Sequence, residues 1–150
     1  MNEKASNPAA ASHAFGLSPD QQQILDEADK WCRKETHPLA QRMDDEEWWP
    51  EDIFRKIGEQ GYFGVTVPEE YGGVGLDFFT SGLISQAMAR YNYALALSYI
   101  AHENLCLNNI YRNANDDLRR KYLPDLCSGK ATGALGLTEP GAGSDALGSM

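Results

Sequence analysis

Apolar residues first fall into step at Ile24, Leu25, Ala28, Trp31 and Cys32, the one-face spacing of an amphipathic helix. Its start is encoded just upstream. Ser18 suits the N-cap, Pro19 the first turn, and Gln21 completes a capping box. Pro38 predicts a break after this helix. A second helix is expected from near Pro50 to about Gly58, with Ile53, Phe54 and Ile57 facing inward. Periodicity then lapses: Gly61 to Gly75 carries so much glycine and proline that it reads as a structured loop. Leu83, Ile84, Ala87, Met88 and Tyr91 restore helical spacing. From Ala94 to Tyr111 nearly every position is apolar or small, the pattern of a helix buried among helices. Asp116 to Cys127 is a more polar helix that Pro124 should kink or restart.

At Ala131 the pattern changes. Ala131 to Thr138 has lost helical periodicity and reads as a strand, and Glu139 to Asp145 as a turn. The expected fold is mainly α: a helical domain of about five or six helices over residues 17–130, then the first strand of a truncated β domain over 131–150. Residues 1–16, rich in Ala, Ser and Asn, read as a disordered leader. A lone strand leaves its backbone groups unpaired, so the end of the chain reads as a truncation. The sequence contains no internal repeat.

Composition narrows the function. The chain has 150 residues, 42% of them hydrophobic, enough for one domain with a substantial core. No apolar run approaches the roughly 18 residues that span a bilayer. A net charge of −9 opposes a nucleic-acid partner, and the densest basic cluster, Arg119-Arg120-Lys121, reads as a solvated helix face. Cys32, Cys106 and Cys127 are odd in number and widely spaced, which favours a reducing compartment over a disulfide framework. The leader has neither an apolar signal core nor the arginines of a transit peptide. The expected location is cytoplasmic, and mitochondrial only if a transit peptide is missing from this chain.

Three stretches carry candidate chemistry. In Thr138-Glu139-Pro140-Gly141-Ala142-Gly143-Ser144-Asp145, two glycines permit a sharp turn and close approach to a ligand. Successive N–H groups there can form a nest for phosphate or a polar ring edge, with the Thr138 and Ser144 hydroxyls as further donors. An ordinary strand-to-loop turn is the plainer reading of that composition. Gly141 to Ala146 also fits the dinucleotide pattern G-x-G-x-x-A, but Pro140 precedes it and the helical segments upstream suit a doubly wound sheet badly. His102-Glu103-Asn104-Leu105-Cys106 falls one histidine short of the zinc pattern H-E-x-x-H. With His13 and His37 far off, these read as structural side chains, and no metal is expected. Leu97, Ala101 and Leu105 stand at i, i+4 and i+8, one stripe of a helix, which core packing also explains.

Taken together, four motifs in order resemble the amino-terminal portion of the acyl-CoA dehydrogenases. They are Leu17-Ser18-Pro19-Asp20-Gln21, Pro68-Glu69-Glu70-Tyr71-Gly72-Gly73-Val74-Gly75, Lys121-Tyr122-Leu123-Pro124, and the stretch from Thr138 to Asp145, which is similar to the family's flavin signature. Leu97 to Cys106 is similar to the isovaleryl-CoA branch, implying a short branched acyl group. The resemblance implies FAD as cofactor, with Leu135, Gly136, Leu137, Thr138, Glu139, Pro140, Gly141, Ala142, Gly143 and Ser144 lining its ring and diphosphate side. Thr138 would hydrogen-bond the ring, Glu139 would hold the turn, and Ser144 would also lie near the thioester. Leu97, Ala101 and Leu105 would form part of the acyl wall.

The implied reaction is α,β-dehydrogenation of an acyl-CoA thioester: a carboxylate removes the α-proton and the β-hydrogen leaves as hydride to the flavin. The resemblance puts that carboxylate on a later part of the parent enzyme, so no catalytic residue is expected among these 150 and the chain by itself is expected to be inactive. It also implies electron-transfer flavoprotein as acceptor and a homo-oligomeric, tetrameric parent. The alternative is a non-catalytic helical binding or interaction module that ends in a glycine turn.

Overall fold

A computed structural model describes residues 16–145 and 148. The expected leader therefore lies almost wholly outside the described residues. Helix α1 spans Pro19–Glu35, and its capping box forms as expected: Ser18 Oγ accepts from the Gln21 N–H while the Gln21 side chain accepts from the Ser18 N–H. Leu25, Ala28 and Cys32 form its buried stripe. The stripe packs on helix α4, Phe78–Tyr91, through Leu83, Ile84, Ala87 and Met88. At the edge of this pair Asp29 accepts from Arg90 and from the Tyr91 hydroxyl (2.8 Å).

The break expected at Pro38 falls at Thr36, two residues before that proline. Pro38 itself lies in the first turn of helix α2, His37–Asp45, where a proline lacks no needed N–H. Thr36 is the joint between α1 and α2, with its hydroxyl donating to the Cys32 carbonyl (2.8 Å) and its own carbonyl accepting from Asn92. Helix α3 starts later than expected, at Ile53, and ends at Glu59, because Pro50 to Asp52 form a turn closed by the Ile53 N–H to the Pro50 carbonyl. Ile53, Phe54 and Ile57 are buried, as their spacing required.

The stretch from Gly61 to Leu76 is a structured loop with one 3₁₀ turn, Glu69–Tyr71. It folds back on itself: the Val74 and Val67 N–H groups bond the Gly64 carbonyl, and the Leu76 N–H bonds Val65. Phe63, Val65 and Val67 enter the core.

The long apolar segment is a continuous helical rod in three parts: α5, Tyr93–Ile100; a π-helical stretch, Ala101–Leu107; and α6, Asn108–Asn113. It is not buried all round. Leu95, Tyr99 and Leu107 face inward, whereas Tyr93 is 82% exposed, Leu97 71% and Leu105 45%. Helix α7, Asp116–Cys127, runs unbroken through Pro124. A proline there forfeits one bond three residues from the helix end, and the Pro124 carbonyl still accepts from Ser128.

The expected strand at Ala131–Thr138 does not form. The segment is non-helical, and among the described residues its backbone enters no ladder; the pairing found in this region is the single bridge between Glu139 and Ala142. A strand exists only through a neighbour, and no described residue supplies one.

Candidate functional site

The candidate site comprises the two stretches that the sequence singled out, whose elements meet at Gly133, where the extended segment lies against the helical rod. Its first half is the outer face of the helical rod. Four residues of α-helix advance a side chain by about 40° beyond a full turn, so Leu97, Ala101 and Leu105 would drift around a regular helix. The π-helical stretch holds more residues per turn and opposes that drift. Leu97 and Leu105 accordingly both remain exposed, with half-buried Ala101 between them. Exposed apolar residues spaced along one rod make an apolar face that no described residue covers.

The second half is the extended segment and its turn. Leu135 and Leu137 are 44% and 51% exposed. The turn closes through the Glu139 N–H to the Ala142 carbonyl (2.9 Å) and the Ala142 N–H to the Glu139 carbonyl (3.1 Å). Thr138, Gly141, Gly143 and Ser144 are exposed, and the Cβ positions of Gly136, Gly141 and Gly143 look into open space. A ligand can therefore approach this backbone closely. Apolar leucines beside free amides and two hydroxyls suit a flat ring with polar edges and a charged tail, and in that respect the residues fit FAD.

His102 joins the two halves. It is fully buried, its Nε2 lies 3.0 Å from the Leu126 carbonyl, and its Nδ1 accepts from the Gly133 N–H at 2.9 Å. Both ring nitrogens are thus engaged by backbone. Among the described residues no three of His, Cys, Asp and Glu are grouped to hold a metal. Arg119-Arg120-Lys121 lies on α7, where Arg120 pairs with Asp116 (2.8 Å) and lies over the Tyr71 ring.

The sequence showed Glu103 only as part of the broken zinc pattern, without its partners. Glu103 is fully buried in the π-helical stretch, and its carboxylate accepts from the Gly64 N–H (2.7 Å) and the Val65 N–H (3.0 Å). Burial raises its pKa to about 7, against the opposing pull of those two donors. The signal was present as an acid inside an apolar run, but the glycine that needs it stands 39 residues away. The cysteines are free, with Cys32 and Cys127 pushed up to about 12 by burial and so inert as thiols.

Residues 18–130 match the family model described as acyl-CoA dehydrogenase, N-terminal domain. The chain belongs to the acyl-CoA dehydrogenase family. It is 39% identical over 134 residues to the mitochondrial isovaleryl-CoA dehydrogenase of Bos taurus, a match covering 88% of this chain and 32% of that one. A solved glutaryl-coenzyme A dehydrogenase in complex with glutaryl-CoA superposes with a TM-score of 0.83 at 34% identity, covering 91% of this chain and 35% of that one. An acyl-CoA dehydrogenase from Bacillus anthracis complexed with FAD gives 0.83 at 33% identity, over 92% of this chain and 24% of that one. The chain thus spans about a third of the length of the curated relatives it matches. The helical architecture is that of the family's amino-terminal domain. No described helix is long and apolar enough to cross a membrane.

Proposed function

We propose that this chain supplies the amino-terminal walls of an FAD-dependent acyl-CoA dehydrogenase acting on a short branched acyl-CoA, with isovaleryl-CoA the first candidate. The observation that carries this reading is an open glycine turn at the end of a segment that His102 ties, at Gly133, to the rod bearing the exposed apolar face. Leu97, Ala101 and Leu105 pack against the acyl chain. Leu135, Leu137 and the backbone from Gly136 to Ser144 meet the flavin, with Thr138 donating to or accepting from its ring and Ser144 also near the thioester. Glu139 holds the turn through its backbone. The hydride acceptor would be supplied by FAD; the chain's own part is to align the acyl group and shield it from water. Relatives named for isovaleryl-CoA and glutaryl-CoA support the thioester class, and the 36–39% identity to several isovaleryl-CoA dehydrogenases supports the branched acyl group.

The base belongs to residues beyond these 150, so the chain by itself has no dehydrogenase activity. The whole enzyme is a homotetramer that passes electrons to an electron-transfer flavoprotein in the cytoplasm. Replacement of Thr138 by Ala in the full-length flavoprotein tests the cofactor assignment. The loss of one hydrogen bond, about 0.5–1.5 kcal/mol, should weaken FAD about two- to twelvefold in a titration of apoprotein. Unchanged FAD affinity with unchanged flavin reduction removes Thr138 from the site.

A further inference from the structure

The rod that carries the acyl-side face meets the segment leading to the flavin-side turn at Gly133, against His102 and Cys106. Ala101 and Leu105 project from the π-helical stretch, and Thr138 stands at the far end of a segment that pairs with no strand among the described residues. We infer that His102 is a positioning residue that fixes these two walls against each other, an inference resting on the functional reading above.

Burial lowers the pKa of His102, so the neutral form is held. A carbonyl can only accept and an amide N–H can only donate. The tautomer satisfying both partners therefore carries its proton on Nε2, donating to the Leu126 carbonyl, and keeps Nδ1 free to accept from Gly133. The ring cannot swing away, because it packs on Phe63 and Phe54 with centroids 4.1 and 5.1 Å off. A Cβ at Gly133 would overlap the Cys106 sulfur of the same π-helical stretch, so a side chain there would force Cys106 to shift. One neutral ring thus bonds both the end of α7 and the start of the segment leading to Thr138. Its backbone neighbour is Ala101.

Two variants separate the arms of this joint. Asparagine places an amide oxygen near the position of Nδ1, keeping the Gly133 bond and giving up the Leu126 bond. Glutamine places an amide nitrogen near the position of Nε2 and does the reverse. In the full-length protein, His102→Gln is expected to weaken FAD binding about three- to tenfold, to shift the visible flavin spectrum, and to lower kcat for isovaleryl-CoA more than it changes KM. His102→Asn should keep FAD affinity within about twofold of wild type, whatever its melting temperature. A merely structural role predicts that FAD affinity follows melting temperature in both variants. Equal weakening in the two, or wild-type FAD affinity in His102→Gln, overturns the inference.

A wild-type protein without FAD would fail the flavin assignment instead, and hydrogen exchange then decides the joint. The Gly133 amide should be protected in wild type and released in His102→Gln. Free exchange in wild type, which needs no variant to fold, overturns the inference, as does unchanged protection in His102→Gln.

Discussion

The buried carboxylate of Glu103 makes stability depend on pH in an uncommon direction. Most native carboxylates are stabilised as anions, so acid unfolds the protein around them. Glu103 is raised from 4.5 to about 7 because removal from water costs more than its two N–H donors return. Between those values the folded protein holds a proton that the unfolded chain has released. The group's contribution is therefore complete below about pH 4.5 and is lost as pH climbs through about 7. From pH 5 to pH 8 the loss is about 2.5 kcal/mol for a shift of this size.

Other titrations overlap this one, so the readout is a difference: urea unfolding of wild type minus that of Glu103→Gln at each pH. Glutamine removes the titration while keeping one oxygen acceptor for the Gly64–Val65 turn. The neighbouring Tyr99 and Cys127 have raised pKa values and stay neutral throughout this range. Wild type should exceed the variant by about 2.5 kcal/mol more at pH 5 than at pH 8. A difference that is flat, or that grows with pH, would show Glu103 ionised in the folded protein and refute the reasoning.

Glycine substitutions test the packing. Gly129 has φ +69° and a Cβ there would overlap the Phe54 carbonyl, so Gly129→Ala should cost about 3 kcal/mol or more. Gly75, at φ +74° but in open space, should lose only about 1–2 kcal/mol on the same change, and equal losses in thermal melts would contradict the close approach. At the acyl face, Ala101→Leu should penalise bulky acyl groups over small ones by about 1–3 kcal/mol in kcat/KM across a panel of straight and branched acyl-CoAs. A uniform loss would return Ala101 to the core.

The helical domain was legible because most of its helices declare themselves locally. Ser18, Pro19 and Gln21 encode the start of α1, and Ile53, Phe54 and Ile57 fix the inner face of α3. What escaped depends on partners distant in sequence. Pro38 reads equally as a stop or a first turn, and Leu39 and Met43, which pack against the core beneath α2, are too few to signal a helix. The π-helical stretch follows no residue pattern; it accompanies the bonds of His102 to Leu126 and Gly133 and of Glu103 to Gly64 and Val65. The segment from Ala131 to Thr138 shows the opposite failure: its composition suits a strand, but the neighbour that would make it one is not among the described residues. At the site, the glycine turn and the apolar stripe were visible as motifs, whereas the histidine between them looked only like a broken zinc pattern.

The most direct test of the whole account is anaerobic addition of isovaleryl-CoA to the full-length protein while the visible flavin absorption is followed. The full-length protein should be purified with bound FAD whose absorption bleaches on mixing, faster with short branched acyl-CoAs than with long straight ones. A full-length protein that carries no FAD, or whose flavin no acyl-CoA reduces, would contradict it.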